Sequence, residues 1–342
     1  MNIDDIINSI DSNNLDIAFG RVVNISAVTL SAVGLDVAVG DIVRIESAQK
    51  LYTVLGMVTV LKDGLFVIVP FSFIDGFKIN DKVFLQRDGL TVKCGNGLLG
   101  RVVNALGDPI DDLGKIRDLD TNAPINKESM SPLDRGIIDK KFATGVKAID
   151  SMLTCGKGQK VGIFAGSGVG KSTLMGMIVQ GCEATIKVIA LVGERGREIP
   201  EFIHYNLNNN LENTVIVTAT SDESPLMRKY AAFTAMTIAE YFRDKGYDVL
   251  LMMDSVTRFA MAQREIGLST GEPPVSRGYP PSVFALLPQL MERAGNSKKG
   301  SITAFFTVLV DGDDLNDPIA DQSRSILDGH IVLTRDLTEQ GF

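Results

Sequence analysis

A glycine-rich segment that ends in Lys-Ser-Thr contains the first residues whose types and spacing indicate chemistry. Residues 165–173 read AGSGVGKST and begin at the last residue of the apolar run KVGIFA. They fit the phosphate-binding pattern G-x-x-x-x-G-K-[ST], except that Ala165 takes the first position. Glycines let several backbone N–H groups turn inward at the start of a helix, where phosphate oxygens accept hydrogen bonds from them. The residues predicted to bind a nucleotide in this way are Gly166, Ser167, Gly168, Val169, Gly170, Lys171, Ser172 and Thr173.

Two side chains of this segment and one distant acid are typical of a magnesium-dependent phosphate site. We expect the Lys171 ammonium to contact the β- and γ-phosphates and the Ser172 hydroxyl to ligate Mg²⁺. Asp254 ends the apolar run DVLLMMD. Since the carboxyl ends of parallel strands share one edge of a sheet, Asp254 is predicted to hold Mg²⁺ through water beside the glycine-rich loop. The alternative for Asp254 is an acid that only caps the next turn.

A third strand is predicted to bring a catalytic carboxylate to the same edge. Glu194 follows the run KVIALVG, and a carboxylate there can orient and partly deprotonate a water molecule aligned with the γ-phosphate. Its neighbours Arg195, Arg197 and Glu198 could instead form a solvated charged turn. For Glu194 itself the position favours chemistry.

The elements that must position these residues change character along the chain. In residues 1–17 isoleucines recur with the spacing of one helical face, which predicts either a short helix that docks on a partner or a frayed end. Residues 18–90 carry short β-rich runs between glycine turns, typical of a small barrel. Residues 91–140 are predicted to connect this barrel to an α/β domain at 141–342, where apolar strands alternate with helices in a parallel sheet.

Composition and charge bear on the class of protein. The chain has 342 residues, of which 45% are hydrophobic, enough for two globular domains. Its net charge of -8 disfavours a general affinity for nucleic acid or anionic lipid. The three cysteines, Cys94, Cys155 and Cys182, lack metal-ligand spacing and suit free thiols in a reducing compartment. The sequence has neither a signal peptide nor an apolar run of membrane-spanning length, so we expect a cytoplasmic protein.

Longer runs of residues carry a resemblance to a known family. They include FAGSGVGKSTLM, GERGREIPEF, DESPLMRKYAAF, MDSVTRFAMAQREIGLSTGEPP, GYPPSVFALLPQLMERAG and DDLNDPIADQSRSILDGHIVLTR. Together they resemble the type III protein-export ATPases, relatives of the catalytic subunits of rotary ATP synthases. The run MLTCGKGQK is more similar to the flagellar member than to the virulence-system members.

The resemblance implies a fold, a reaction and roles for single residues. It implies an N-terminal β-barrel, a central RecA-like ATPase domain that binds ATP or ADP with Mg²⁺, and a C-terminal helical domain. Carried onto this sequence, Lys171 takes the phosphate position, and Ser172 and Asp254 take the magnesium positions. Glu194 takes the position of the catalytic carboxylate and Arg195 that of its neighbour in the family motif. Arg258 matches an arginine near the site, with a surface salt bridge as the alternative.

The resemblance also implies partners. Family members form a ring of six with nucleotide bound between neighbours, a central stalk protein in the channel and a peripheral-stalk regulator at the N-terminus. The export gate and the complexes of export chaperone with substrate are further expected partners, and nucleic acid is not. The expected location is the cytoplasm, with peripheral attachment to the inner membrane at the export apparatus.

The end of the chain departs from the family. After LTRDLTEQGF we expect, beyond Phe342, an adenine-packing tyrosine, an arginine finger that reaches a neighbouring subunit, and the helical domain. We therefore expect this chain to be truncated, to bind nucleotide through its phosphates, and to hydrolyse it slowly by itself, because a finger supplied in trans is worth roughly 10³- to 10⁵-fold in rate. Arg324 and Arg335 are not assigned this role.

Three alternative functions remain at this stage. The first is a virulence-type export ATPase or another rotary catalytic subunit, with the same chemistry and a different client. The second is a non-catalytic nucleotide-binding ring subunit, which the water-activating position of Glu194 disfavours. The third is a ring-shaped nucleic-acid motor, which the acidic balance and the scarcity of aromatic residues in the barrel disfavour, with no Trp and few Tyr.

Overall fold

The structure is a computed structural model that divides into two compact units. The units are Met1–Gly89 and Leu90–Phe342. The predicted isoleucine helix lies outside the residues that the structure describes. Those residues are 18–47, 52–166, 168–310, 314 and 316–340.

The first unit contains a closed antiparallel barrel of six strands within its described residues. Side chains alternate between the barrel interior and its surface, and Val22, Leu30, Val58 and Ile68 are fully buried inside. This alternation is the pattern that the short β-rich runs predicted, and the barrel is confirmed. The strands, paired in the order β1-β2-β5-β4-β3-β6, are β1 (Gly20–Ile25), β2 (Leu30–Val33), β3 (Ile42–Glu46), β4 (Thr53–Lys62), β5 (Leu65–Pro70) and β6 (Lys82–Gln86).

The second unit alternates strands with helices. Its strands are β7 (Thr91–Cys94), β8 (Val102–Val103), β9 (Thr121–Pro124), β10 (Lys141–Phe142), β11 (Cys155–Gly156), β12 (Lys160–Ala165), β13 (Ile186–Glu194), β14 (Thr214–Thr220), β15 (Asp248–Asp254), β16 (Gly295–Asn296), β17 (Ser301–Leu309) and β18 (Gly329–Leu333). Its α-helices are α1 (Lys147–Met152), α2 (Lys171–Gly181), α3 (Glu198–Glu201), α4 (Pro225–Asp244), α5 (Val256–Ser269), α6 (Pro281–Met291), α7 (Pro318–Ile326) and α8 (Arg335–Glu339). Short 3₁₀ turns occupy Asn96–Leu98 and Pro132–Asp134, and a π-helical turn occupies Phe202–Asn206.

The main sheet is parallel and runs in the order β18-β12-β17-β15-β13-β14-β8, with β16 added antiparallel to β17. Strands β12, β15 and β17 are buried almost throughout. Burial of both faces by helices explains why these strands read as continuous apolar runs. The predicted α/β class is confirmed, and the carboxyl ends of β12, β13, β15 and β17 meet at one edge.

Residues 91–140 differ from their predicted description as a connection between domains. They group with the second unit, and Val102–Val103 extends the main sheet by parallel pairing with β14. The Arg101 guanidinium makes two hydrogen bonds of 2.7 Å to Asp111, which in turn accepts from the N–H of Val102. These contacts hold the polar segment in place. Its strand, Val102–Val103, has only two residues, too few to give a recognisable strand pattern in the sequence.

The cysteines and helices of the described chain add two observations. Cys94, Cys155 and Cys182 are free thiols, and the first two are buried. Burial raises the pKa of Cys94 to about 12 and that of Cys155 to about 11.

None of the helices in the described ranges combines the length and apolar character needed to cross a membrane.

Candidate active site

The glycine-rich loop joins β12 to α2 at the carboxyl edge of the main sheet. Gly168 and Gly170 have φ values of +79° and +90°, and a Cβ built on either would meet no atom within 4 Å. Glycine is therefore required here by backbone conformation, because L side chains rarely adopt positive φ. The open space above both residues leaves their backbone accessible to a ligand. Ser167 lies outside the described residues.

A cavity of about 720 Å³ lies over this loop and is bounded by the ends of several strands. Val169 does not line it, and its side chain is buried. The predicted residues that line it are Gly166, Gly168, Gly170, Lys171, Ser172, Thr173, Glu194, Arg195, Asp254 and Arg258.

Three charged side chains from three segments meet in the cavity. The Lys171 ammonium, at the start of α2, lies 2.5 Å from Asp254 Oδ1 at the end of β15 and 3.9 Å from Glu194 Oε1 at the end of β13. Their side chains are 12%, 7% and 12% exposed, respectively. At this burial charges interact more strongly than at an open surface. The structure thus brings together the lysine and both acids that the sequence singled out.

The Glu194 carboxyl is poised to exchange a proton near neutral pH. Burial raises its pKa, the nearby Asp254 charge raises it further, and the Lys171 ammonium partly offsets both, for a pKa of about 7. Glu194 Oε1 is buried and has no hydrogen-bond partner among the described residues. A buried carboxylate oxygen that faces a cavity and receives no hydrogen bond is suited to accept one from a ligand or a water molecule.

Arg258 approaches the same cavity from the first turn of α5. Its Nε is buried and is also without a hydrogen-bond partner in the part of the chain that the structure describes. The backbone at Gly193 makes room for this arginine, because a Cβ on Gly193 would lie 3.0 Å from Arg258 Cβ. Gly193 also has a φ of +70°. Sequence reasoning missed Gly193, since the contact joins two segments that are distant in the chain.

Arg195 has a different environment from Arg258. Its side chain is 65% exposed, and its Nη1 lies 3.7 Å from Glu198 Oε1. This geometry is that of the solvated charged turn that the sequence left as an alternative for the residues after Glu194. A catalytic role for Arg195 stays a prediction.

Two residues that the sequence did not single out support the predicted magnesium ligands. The Thr307 hydroxyl on β17 donates a 2.6 Å hydrogen bond to Asp254 Oδ1. The Asn206 amide, from the π-helical turn, donates at 3.0 Å to the backbone carbonyl of Ser172. A threonine near the end of the apolar run SITAFFTVLV is the one signal that could have pointed to Thr307.

Known proteins resemble this chain over most of its length. The model of the ATP synthase alpha/beta family, nucleotide-binding domain, matches residues 145–342. The flagellum-specific ATP synthase of Helicobacter pylori strain J99 is 61% identical over 324 residues, which are 94% of this chain and 74% of that protein.

Solved structures show the same likeness. The assembled ATPase EscN of the enteropathogenic E. coli type III secretion system superposes with a TM-score of 0.89 at 47% identity, over 94% of this chain and 77% of that one. EscN in complex with its central stalk EscO superposes with a TM-score of 0.85 at 46% identity, over 94% of this chain and 76% of that one. With a family match over more than half of its residues and a barrel and parallel sheet of the same fold, the chain belongs to the ATP synthase alpha/beta family of P-loop ATPases.

Proposed function

We propose that the protein hydrolyses ATP to ADP and phosphate and thereby energises flagellar type III protein export. The observation that carries this proposal is the meeting of Lys171, Asp254 and Glu194 beside the glycine-rich loop, with a Glu194 pKa of about 7. The higher identity to the Helicobacter pylori flagellar protein, 61% against 47% for EscN, supports the flagellar system.

Nucleotide binding is assigned to the loop and to the lysine that follows it. The backbone N–H groups at the start of α2 and the Lys171 ammonium supply positive charge for phosphate oxygens. Gly168 and Gly170 keep the loop open to the cavity. ATP and ADP are the nucleotides that this function requires.

The residues at the loop fit a magnesium ion. Mg²⁺ prefers oxygen ligands and is usually held by one or two protein groups together with substrate phosphates and water. The Asp254 carboxylate already attracts one cation, the Lys171 ammonium, at 2.5 Å. Asp254 and the Ser172 hydroxyl would hold the ion, which neutralises charge on the phosphates when bound.

Glu194 is assigned as the group that accepts a proton from the attacking water. In the hydrolysis step the water oxygen forms a bond to the γ-phosphorus. The bond between that phosphorus and the ADP oxygen breaks, and ADP leaves with the electron pair. A pKa of about 7 makes a carboxylate a stronger base than an ordinary glutamate. Lys171 and Arg258 supply positive charge to the transferred group, and Arg195 is a further candidate.

Assembly and partners extend the proposal. The EscN structures are titled as an assembled ATPase and as a complex with a central stalk. By similarity we place this protein in a homo-hexamer around a central stalk, with an arginine finger reaching each site from a neighbour. A peripheral-stalk regulator at the N-terminus, the export gate and chaperone–substrate complexes complete the proposed partners. The proposed location is the cytoplasmic face of the inner membrane at the export apparatus.

The alternatives differ from this proposal in the use of Glu194 or in the client. A non-catalytic ring subunit needs no proton acceptor in its cavity, whereas Glu194 is buried there with an unpartnered oxygen. A nucleic-acid motor is disfavoured by the net charge of -8. A virulence-type ATPase would perform the same chemistry for different clients, so cell experiments separate it from the flagellar assignment.

The test of the reaction is Mg-ATP hydrolysis by the full-length gene product as a function of its concentration, beside Glu194→Gln. We expect a rate that rises faster than linearly with protein concentration and that falls by about 100-fold or more in the variant. Equal turnover by the two proteins would favour the non-catalytic subunit.

The test of the client is a chromosomal Glu194→Gln replacement in the source organism. We expect loss of flagellar filaments and of motility, with normal levels of the protein. Intact flagella together with a defect in the secretion of other proteins would move the assignment to a virulence system.

A further inference from the structure

We propose that Thr307 is a positioning residue that holds the Asp254 carboxylate in place and thereby sets how strongly Mg²⁺ increases nucleotide binding. The inference rests on the proposed function, because it assigns Asp254 to the magnesium ion. It concerns a residue that the roles assigned above do not use.

Thr307 reaches Asp254 through the register of two neighbouring strands. The last paired residues of β15 and β17 are Met253 and Phe306, and Asp254 and Thr307 come next on each strand. The Thr307 side chain is fully buried. Its single hydroxyl proton has two acceptors in range, Asp254 Oδ1 at 2.6 Å and the Met253 carbonyl at 3.3 Å. The shorter contact, to a carboxylate, is the stronger one.

Asp254 Oδ1 receives two donors of different mobility. The Lys171 ammonium lies 2.5 Å from this oxygen, at the end of a flexible four-carbon chain that must also serve the phosphates. Thr307 has one side-chain torsion, which β-branching restricts, on a strand buried in the sheet. When the lysine contacts phosphate, the threonine is the donor that keeps the orientation of the carboxylate.

The end of β17 is tied to the same region by a second contact. The N–H of Leu309 donates at 2.9 Å to the Thr257 hydroxyl in the first turn of α5. That helix begins at Val256, two residues after Asp254, and its first turn also carries Arg258. The end of β17 therefore contacts the Asp254 segment at two points, Asp254 and Thr257, which is the rigid support that a precise ligand position requires.

Valine is the substitution that isolates the hydroxyl. Thr307→Val keeps the β-branched shape and removes the donor, whereas Thr307→Ser keeps the donor. Thr218 on β14 is a matched control, because its side chain is 1% exposed and its Oγ1 has no hydrogen-bond partner within the described ranges. Thr218→Val makes the same chemical change in the same sheet without removing a contact to Asp254.

The experiment measures ADP affinity by calorimetry for the full-length gene product, with Mg²⁺ and with EDTA. We expect Thr307→Val to weaken ADP binding roughly 10- to 100-fold with Mg²⁺, because a hydrogen bond to a charged group contributes a free energy of that size. With EDTA we expect the same variant to weaken ADP binding by less than about 3-fold. Thr307→Ser and Thr218→Val should both keep the wild-type ratio of the two affinities. For Thr307→Val we also expect a change in kcat that depends on Mg²⁺ in the same way as the loss of ADP affinity.

Three outcomes would overturn the inference. If Thr307→Val lowers the melting temperature but keeps the wild-type magnesium enhancement, Thr307 is merely structural and the proposed function stands. If Thr218→Val loses the enhancement equally, the effect belongs to the sheet. If the wild type shows no enhancement, the magnesium assignment fails as well. Should Thr307→Val not fold, Thr307→Cys, with its weak donor, replaces it in the comparison with Thr307→Ser.

Discussion

The Lys171 ammonium and the Asp254 carboxylate lie 2.5 Å apart, although 83 residues separate them in the chain. The contact joins the start of α2 to the end of β15 inside a cavity where Glu194 is a second acid. Nucleotide binding through the lysine must therefore exchange at least part of this ion pair for contacts with phosphate. The balance of charge in the cavity is a property of all three residues.

Removal of the lysine is expected to affect binding and stability together. In Lys171→Met, ADP affinity should fall about 10- to 100-fold, because a charged hydrogen-bond donor to phosphate is lost. Two acids then share the cavity without their nearest cation, and the pKa of Glu194 should rise further, since Lys171 lowers it. The variant should therefore lose more stability at pH 8 than at pH 6, measured by urea unfolding. Adding Asp254→Asn should restore most of the stability at pH 8, and equal losses at both pH values would contradict the charge explanation.

The pH dependence of hydrolysis should report the titration of Glu194. The pKa of about 7 predicts that kcat/KM for Mg-ATP rises between pH 6 and 8, because the base acts when deprotonated. Glu194→Gln should lower the rate about 100-fold or more and remove this rise. Initial rates from pH 5.5 to 9 at constant ionic strength give the comparison. A variant whose residual activity keeps the same rise would assign the titration to another group.

The same group should make folding stability fall as pH increases. The folded protein holds the Glu194 proton more tightly than the unfolded chain, since folding raises the pKa from 4.5 to about 7. The resulting stabilisation is complete below the unfolded pKa and is lost as pH rises through the folded pKa. Glu194→Gln should thus gain stability relative to the wild type between pH 5 and 8, by up to about 3 kcal/mol. Urea titrations at those two pH values test the sign.

Gly193 should be intolerant of a side chain for two separate reasons. Its φ of +70° disfavours alanine, and the added Cβ would lie 3.0 Å from Arg258 Cβ. We expect Gly193→Ala to cost about 1 to 3 kcal/mol and to lower the hydrolysis rate by displacing Arg258. Gly196→Ala, three residues later, is the control, because its nearest contact would be 3.9 Å. Thermal unfolding and turnover of both variants distinguish a local requirement from general sensitivity of this turn.

Sequence reasoning predicted the location of residues at the sheet edge where a residue type and a strand end coincide, and the roles of these residues stay predictions. Lys171 follows the glycine-rich loop that comes after the apolar strand KVGIFA. Glu194 and Asp254 each close an apolar strand. Parallel strands bring such ends to one edge whatever their separation in the chain. The distances from Lys171 to the two acids, 2.5 and 3.9 Å, are the structural counterpart of that inference.

The residues that were missed depend on pairing between strands and on helix packing. Thr307 is one threonine in an apolar strand, and only the register of β15 against β17 shows that it faces Asp254. Gly193 contacts Arg258 across two elements. The helix Val256–Ser269 was not predicted, although a serine N-cap, Ser255, precedes it. Two-residue strand β8 is likewise defined by its partner and not by its own residues.

A buried ion pair of the second unit should be costly to break from one side. The Arg293 side chain is fully buried, forms two hydrogen bonds to the Glu240 carboxylate at 2.8 and 3.1 Å, and donates at 2.9 Å to the backbone carbonyl of Ile125. Arg293→Met should cost about 3 to 5 kcal/mol, because it leaves a buried carboxylate unpaired. Arg293→Met with Glu240→Leu should recover part of this loss in urea unfolding. Lys298→Ala, at an exposed pair with Asp134, should have no measurable effect. A double variant as unstable as the sum of its single variants would show that Arg293 acts instead through its other hydrogen bonds, to the Ile125 carbonyl and the Thr237 hydroxyl.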